Sequence, residues 1–266
     1  MIKNIDSIHN NKLKHIRKLL ESRKERKQAG SFVVEGYKSI QSLLEGHITS
    51  YKITEIFFSH SALKNDKSTS ITDHYPSMSY YSVPDDVFEK LSDVVTSQGI
   101  LAIVSYTTTV PLISEDRGLY VLVDSITDPG NLGTIIRSAV GAGFDGVLFY
   151  GATVDPYNPK TIRATMGTFA YATFFIIDDG FLNDLKERKY DIIIFTMDGK
   201  ENIFAADYSP KTVIAVGNES SGISQRLRSI ANRSIFIPMN PQCESLNAAV
   251  AGSIGMFQIA HRVYDR

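Results

Sequence analysis

The stretch Asp128-Pro129-Gly130-Asn131-Leu132-Gly133-Thr134-Ile135-Ile136-Arg137-Ser138-Ala139 decides how the rest of the chain is read. It follows an apolar, strand-like run, Leu119–Val123, and opens a helix. Pro fixes its own φ and Gly permits a close-packed or left-handed backbone, so Asp-Pro-Gly reads as a turn. Asn131 then falls where a helix N-cap is expected. From there Leu132, Ile135, Ile136 and Ala139 form one apolar stripe, with Arg137 off that face. A strand thus delivers an amide and a guanidinium to the carboxyl end of a sheet, where open α/β folds keep their ligands. The same residues also fit an ordinary strand-turn-helix with a capping Asn and a solvated Arg.

Working outward, 266 residues leave room for one large domain or two modest ones, and 43% hydrophobic content supports a real core. No apolar run approaches the roughly 18–20 residues that cross a bilayer. The longest candidate, Ala248–Ala260, is shorter and holds Gln258. The charged N-terminus is unlike a secretory signal, and the single Cys243 excludes an intramolecular disulfide framework. Six scattered histidines without a Cys/His cluster give no expectation of a metal. The expectation is a cytoplasmic protein without a membrane segment.

The net charge of −1 hides an asymmetry. Residues 1–28 carry nine Lys/Arg against three acidic residues, leaving the remainder of the chain net acidic. Within this arm Lys12, Lys14, Arg17, Lys18, Arg23 and Lys24 surround an apolar stripe of Leu13, Ile16, Leu19 and Leu20. Such an arm is a footprint for a polyanion, or else a solvated helix face.

A single first helix is expected to end at Gln28-Ala29-Gly30. A strand Ser31–Glu35, a helix Tyr37–Leu44, a strand Ile53–Ser59, a polar loop Lys64–Pro76 and a strand near Tyr80–Val83 follow. A short helix at Pro84-Asp85-Asp86 and a strand Gly99–Tyr106 complete a small α/β domain, residues 1–107. Residues 108–117 read as a linker, and 118–266 as a second domain. There strands at Leu119–Val123, Gly146–Tyr150, Phe174–Ile177, Ile192–Thr196, Thr212–Val216 and Ser234–Ile237 alternate with helices, which implies a parallel sheet.

Gly141-Ala142-Gly143-Phe144-Asp145-Gly146 matches G-x-G-x-x-G, but a helix precedes it and a strand follows. A dinucleotide fingerprint needs the reverse order, so these glycines are read as a helix end and a close crossover.

Two other strand ends resemble the first. Gly217-Asn218-Glu219-Ser220-Ser221-Gly222-Ile223-Ser224 and the run Pro238–Gly252 each place Gly, Asn, Glu and Ser between a buried strand and a helix. Ser245 and Asn247 flank the last helix, either as caps or as site residues. That helix is rich in Ala, Gly and Ser, which permits close approach to the protein's own sheet or to a second subunit.

Together, and in this order, the three loops resemble the motifs of the SpoU (TrmH-type) RNA 2′-O-ribose methyltransferases of the SPOUT class. The pieces are D-P-G-N-L-G-T-I-I-R-S-A, G-N-E-S-S-G-I-S and I-P-M-N-P-Q-C-E-S-L-N-A-A-V-A, with D-P-Y-N-P-K-T-I-R-A-T-M-G (Asp155–Gly167) between them. The N-terminal F-V-V-E-G and S-Q-G-I-L-A-I-V are similar to the L30e/L7Ae-like substrate-binding domain often fused to this family. The loops depart from the family at E-S-S-G and at Cys243-Glu244, changes that keep every candidate side chain.

The resemblance implies an α/β SPOUT domain with a deep trefoil knot, S-adenosylmethionine (AdoMet) bound bent within it, and a homodimer formed through the knotted domain. By matching position it implies cofactor contacts from Gly217, Ile237 and Leu246, with Thr196 and Met239 as further candidates. Arg137 matches the family's catalytic arginine, with Asn131, Glu219, Ser245 and Asn247 around it; Arg163 joins the basic arm as an RNA contact. An arginine stays protonated, so orienting a ribose hydroxyl and gripping the neighbouring phosphate suits Arg137 better than acting as a base. The layout is similar to that of enzymes acting on large-subunit rRNA. The alternatives are a tRNA target, or a non-catalytic RNA-binding module of the same fold.

Overall fold

The computed structural model describes residues 2–46, 48, 50–92, 94, 96–107 and 113–264. The expected linker at 108–117 therefore lies outside the described residues over 108–112. The chain forms two compact units, the first containing residues up to Thr107 together with Tyr157–Tyr171, and the second the remainder.

The first unit begins with a strand, β1 (Ile2–Asn4), that carries no sequence signal of its own. The expected first helix is two: α1 (Asn11–Glu21) and α2 (Arg23–Ala29). Ser22 breaks it by taking an extended conformation, and its side chain accepts from the Glu25 amide to start α2. The unit continues through β2 (Ser31–Glu35), α3 (Tyr37–Glu45) and β3 (Tyr51–Ser59). The expected polar loop at 64–76 contains a helix, α4 (Asp66–His74). Its Asn65 cap accepts from Lys67 N, and its buried face is only Ser68, which donates to Ala62 O, and Ile71, so no apolar period registers in the sequence. After β4 (Ser79–Val83), α5 (Asp85–Glu89) and β5 (Ile100–Tyr106), the strands assemble as a mixed sheet in the order β1-β4-β3-β5-β2. Leu13, Ile16 and Leu19 of α1 pack with Phe57, Tyr81 and Phe88 in one core cluster.

The second unit holds β6 (Gly118–Asp124), α6 (Pro129–Gly141) and β7 (Gly146–Tyr150). The next helix, α7 (Pro159–Ala164), belongs to the first unit, where Tyr157 stacks on Tyr106 at 4.1 Å and packs on Phe32 at 4.7 Å. Then come β8 (Phe174–Ile176), α8 (Asp179–Glu187), β9 (Asp191–Phe195) and a two-residue strand β10 (Glu201–Asn202) without sequence signal. β11 (Lys211–Gly217), α9 (Gln225–Ile230), β12 (Arg233–Phe236) and α10 (Ala248–Tyr264) complete it.

All pairings in this sheet are parallel, in the order β10-β12-β9-β11-β6-β7-β8. β6 is buried along its whole length, as a strand covered on both faces must be. The glycines at 141–146 do lie between a helix and a following strand, with Gly143 left-handed at φ 72°. α10 spends its small residues on its own sheet: a Cβ on Gly252 would meet Val216 at 2.8 Å, and one on Gly255 would meet Phe195 at 2.3 Å.

Candidate active site

The loops after β6, β9, β11 and β12 leave the same edge of the parallel sheet, and the β6 and β11 ends are in register at Asp124 and Gly217. Asp124, 1% exposed, knits two of these loops. Its carboxylate accepts from the Ser224 amide at 2.7 Å and from the Ser125 hydroxyl at 3.2 Å. Asn218 ties them again, donating to Ser125 O at 2.8 Å while its Oδ1 accepts from the Ser220 and Ser221 amides. Neither residue is identified by the sequence reading, although an Asp or Asn ending a strand before a glycine-containing loop is a recognisable turn signal. The 218–222 loop folds back on itself through Asn218 N to Gly222 O and Gly222 N to Asn218 O. Gly217 lies flush against that hairpin; a Cβ there would sit 2.4 Å from the Gly222 backbone.

The structure corrects the cap of α6. Asp128, not Asn131, is the N-cap: its side chain accepts from Asn131 N at 2.7 Å, and Pro129 occupies the first turn. Moving the cap back frees the Asn131 side chain. Its Nδ2 donates to Glu219 Oε1 at 2.8 Å, and its Oδ1 accepts from Asn247 Nδ2 at 2.9 Å. Asn247 Oδ1 in turn accepts from the Ala249 and Val250 amides, so this residue caps α10 and reaches across to α6 as well. One polar chain therefore joins all three motif loops.

Burial pushes the Glu219 carboxyl up, but hydrogen bonds from Asn131 and from the backbone at Glu219, Thr127 and Asp128 outweigh it and hold the group below its ordinary range. Glu219 is thus an ionised acceptor at neutral pH.

Beside this chain lies a cavity of about 530 Å³. Thr196, Gly217, Ile237, Met239 and Leu246, the five candidate cofactor contacts, all line it, as do Glu219, Ser245 and Asn247. Asn131 touches it only through Glu219 and Asn247. Asp198 and Arg228, which the sequence reading does not single out, also line it. The Thr196 hydroxyl is buried with no hydrogen-bond partner among the described residues, a cost that a polar ligand would remove.

Arg137 is not in that lining. It is exposed on α6 and forms no hydrogen bond or ion pair among the described residues. α6 and α10 run side by side, joined at Asn131–Asn247, at Ser138–Ser253 (2.7 Å) and where Gly141 meets Phe257. Val250, Phe257 and Tyr264 of α10 are exposed apolar side chains, at 45%, 52% and 56%.

In the first unit, Lys14, Arg17, Lys18 and Lys24 are exposed, and Arg23 is exposed but has a partner. Lys12 is engaged instead: it pairs with Glu55 and lies 4.8 Å from the Tyr81 ring centroid. Arg26 is buried and serves the α1–α2 corner, donating to Leu19 O at 2.6 Å. Arg163 is half-buried on α7. No group of side chains able to hold a metal occurs among the described residues, and no helix among them is long and apolar enough to cross a membrane.

A parallel sheet whose loop ends enclose a cavity beside a Glu–Asn–Asn chain fits the α/β methyltransferase domain that the motif resemblance implies, and comparison with known proteins identifies the family. The SpoU rRNA Methylase family matches residues 118–257, and an MRM3-like substrate binding domain matches residues 10–102. The chain belongs to the SpoU rRNA Methylase family. It is 28% identical to the 23S rRNA (guanosine(2553)-2′-O)-methyltransferase RlmP of Bacillus subtilis, over 97% of this chain and 99% of that protein. It is 32% identical to a 23S rRNA (uridine(2479)-2′-O)-methyltransferase of Streptomyces viridochromogenes, over 56% of this chain and 54% of that one. A solved AdoMet-bound rRNA methyltransferase from Sinorhizobium meliloti superposes with a TM-score of 0.85 at 28% identity, covering 98% of each chain.

Proposed function

We propose that this chain transfers a methyl group from AdoMet to a ribose 2′-OH of large-subunit rRNA. The observation that carries the reading is one cavity lined by two of the motif loops and by the loop after β9, with the Glu219–Asn131–Asn247 chain tying the third motif loop to its side. The whole-length relative acts on 23S rRNA, and the Sinorhizobium structure holds AdoMet. Residues 1–107 together with 157–171 would select the RNA, and the rest of 118–266 would carry the chemistry, in a cytoplasmic enzyme.

The cavity residues suit AdoMet. Thr196 offers a buried hydroxyl without a partner among the described residues, Gly217 lets a ligand reach the backbone, and Ile237, Met239 and Leu246 supply apolar walls. AdoMet supplies an activated sulfonium methyl, so the remaining task is to place and polarise the hydroxyl that attacks it. Glu219, held ionised and already accepting from Asn131, is a poor proton acceptor near neutrality. Its work is to orient Asn131, which orients Asn247, so the loops are set before RNA arrives. Ser245 stands on the cavity wall, where its hydroxyl can meet the ribose.

Arg137, exposed and without a partner among the described residues, has its guanidinium available for a phosphate next to the target ribose, fixing the hydroxyl by a bidentate contact. It lies outside the cavity of its own chain, and the exposed Val250, Phe257 and Tyr264 on the adjoining helix suit a second copy. We therefore read the active species as a homodimer through a knotted C-terminal domain, with Arg137 at the joint.

The test is methyl transfer from radiolabelled AdoMet to separate pools of unmodified rRNA and tRNA, followed by nuclease digestion to detect 2′-O-methylated dinucleotides. Label in rRNA alone supports both chemistry and target. Label in tRNA keeps the chemistry and overturns the target. No label in either pool, with no AdoMet binding by calorimetry, overturns the enzyme.

A further inference from the structure

We infer that Arg228 recognises the α-carboxylate of the cofactor's amino-acid tail and so sets a preference for a complete S-adenosyl amino acid over a bare thionucleoside. The inference rests on the methyltransferase reading above and adds a specificity residue to it.

Arg228 is the sole Lys or Arg among the described residues lining the cavity. Its Nε donates to Ile223 O at 3.2 Å, which anchors the guanidinium beside the 218–222 hairpin. There Nη2 lies 3.9 Å from where a Cβ on Gly222 would stand. No carboxylate pairs with it among the described residues. Arg226, two positions earlier and so on the opposite side of α9, is by contrast fully used: it donates to Asp179 at 2.6 Å and to Asn183 at 2.8 Å.

The cavity's acids do not compensate Arg228 either. Glu219 is committed to Asn131 and Thr127, and Asp198 forms no ion pair among the described residues. The cavity therefore presents one anchored cation whose two Nη groups are open to an anion. AdoMet carries one anionic group, the carboxylate of its methionine part. A planar fork is the donor geometry that meets a carboxylate through two hydrogen bonds.

Calorimetry on the full chain separates the possibilities, using S-adenosylhomocysteine, which keeps the amino-acid tail, and 5′-methylthioadenosine, which lacks it. Arg228→Gln should weaken S-adenosylhomocysteine about 10- to 100-fold, the range of a charged hydrogen bond, and leave methylthioadenosine within about twofold. Retained methylthioadenosine binding also reports an intact pocket, and Arg228→Lys should restore part of the lost affinity. Equal weakening of both ligands, or unchanged binding of S-adenosylhomocysteine, would overturn the assignment. If S-adenosylhomocysteine is unaffected while RNA affinity and its salt dependence fall, Arg228 is a phosphate contact and the assignment fails. Wild-type protein that binds neither small ligand overturns the cofactor reading itself, and this inference with it.

Discussion

The two units place charged and polar residues in opposite ways. In the second, a few side chains from the start of α6, the loop after β11 and the segment before α10 hold one another: Asn247 caps a helix and bonds Asn131, and Asn131 bonds Glu219. In the first, Lys14, Arg17, Lys18 and Lys24 stand apart on exposed helix surface, each in solvent. A linked network behaves as a unit and fails as a unit, whereas dispersed charges act by summed attraction and lose it piecemeal. Chemistry and RNA affinity should therefore separate on mutation.

The sharpest break is expected at Arg137. Arg137→Ala should lower methyl transfer about 100- to 1000-fold, the scale of losing one aligned charged donor, with AdoMet affinity nearly unchanged. Single-turnover assays with calorimetry would show it, and wild-type turnover by the variant would remove Arg137 from the chemistry.

Next in size is a stability effect confined to the first unit. Tyr157, which stacks on Tyr106 and packs on Phe32, carries the 157–171 segment in that unit. Tyr157→Ala should cost roughly 2–4 kcal/mol, through the ring packing removed and the cavity left behind. Hydrogen exchange on the full chain should show protection falling in β2 and β5 and persisting in β6 and β11; uniform loss would contradict the division into two units.

The polar chain provides a test of coupling. Asn131→Ala and Asn247→Ala should each slow transfer about 10-fold, and the double variant should be little worse than either alone. Fully multiplicative losses would mean that the two amides work independently. The same network carries a pH signature. Because the Glu219 carboxyl is held below its ordinary range, its stabilising contribution is present above that range. It is lost as pH falls through the depressed folded-state value. Acid unfolding followed by loop-specific fluorescence should therefore be less steep in Glu219→Gln, in which that contribution no longer titrates.

The smallest effects belong to the basic helices. Neutralising Lys14, Arg17 or Lys18 singly should weaken RNA binding a few-fold each, additively, and flatten the salt dependence by up to about 0.7–0.9 for each phosphate no longer neutralised. Lys12→Gln should do less to RNA affinity, since Lys12 is already paired with Glu55. A single substitution in this arm that abolished binding would show a focused site in place of a distributed one.

Much of the molecule is legible in the chain. Apart from its cap, the strand-turn-helix at 119–139 reads correctly because an apolar run, a Pro-Gly turn and an apolar stripe are all local signals. The family resemblance points to Thr196, Gly217, Ile237, Met239 and Leu246 but not to Asp198 or Arg228, which line the same cavity. The helix cap at Asp128 lies three residues before the position the apolar stripe suggests, although Asp followed by Pro at the helix start is itself a recognised signal. That shift matters, because it converts Asn131 from a cap into a link between loops. The helix α4 escapes a periodicity reading because its buried face consists of Ser68 and Ile71 alone. β1 and β10 escape it because strands of two or three residues carry no period and exist only through their partners β4 and β12.

Residue type and spacing are enough to specify the alternation of buried strands and amphipathic helices, the three loop motifs, the concentration of positive charge near the N-terminus and, through the motifs, the family. These depend on neighbours along the chain. Tertiary structure alone decided that Tyr157–Tyr171 completes the first unit, that Asn131, Glu219 and Asn247 bond one another, that Lys12 is consumed by Glu55, and that Arg228 faces the cavity while Arg226 does not. Each of these outcomes except the last joins residues distant in the chain, and the last depends on how α9 packs. Local propensity carries no information about them, because packing the sheet and closing its loops choose which polar groups meet.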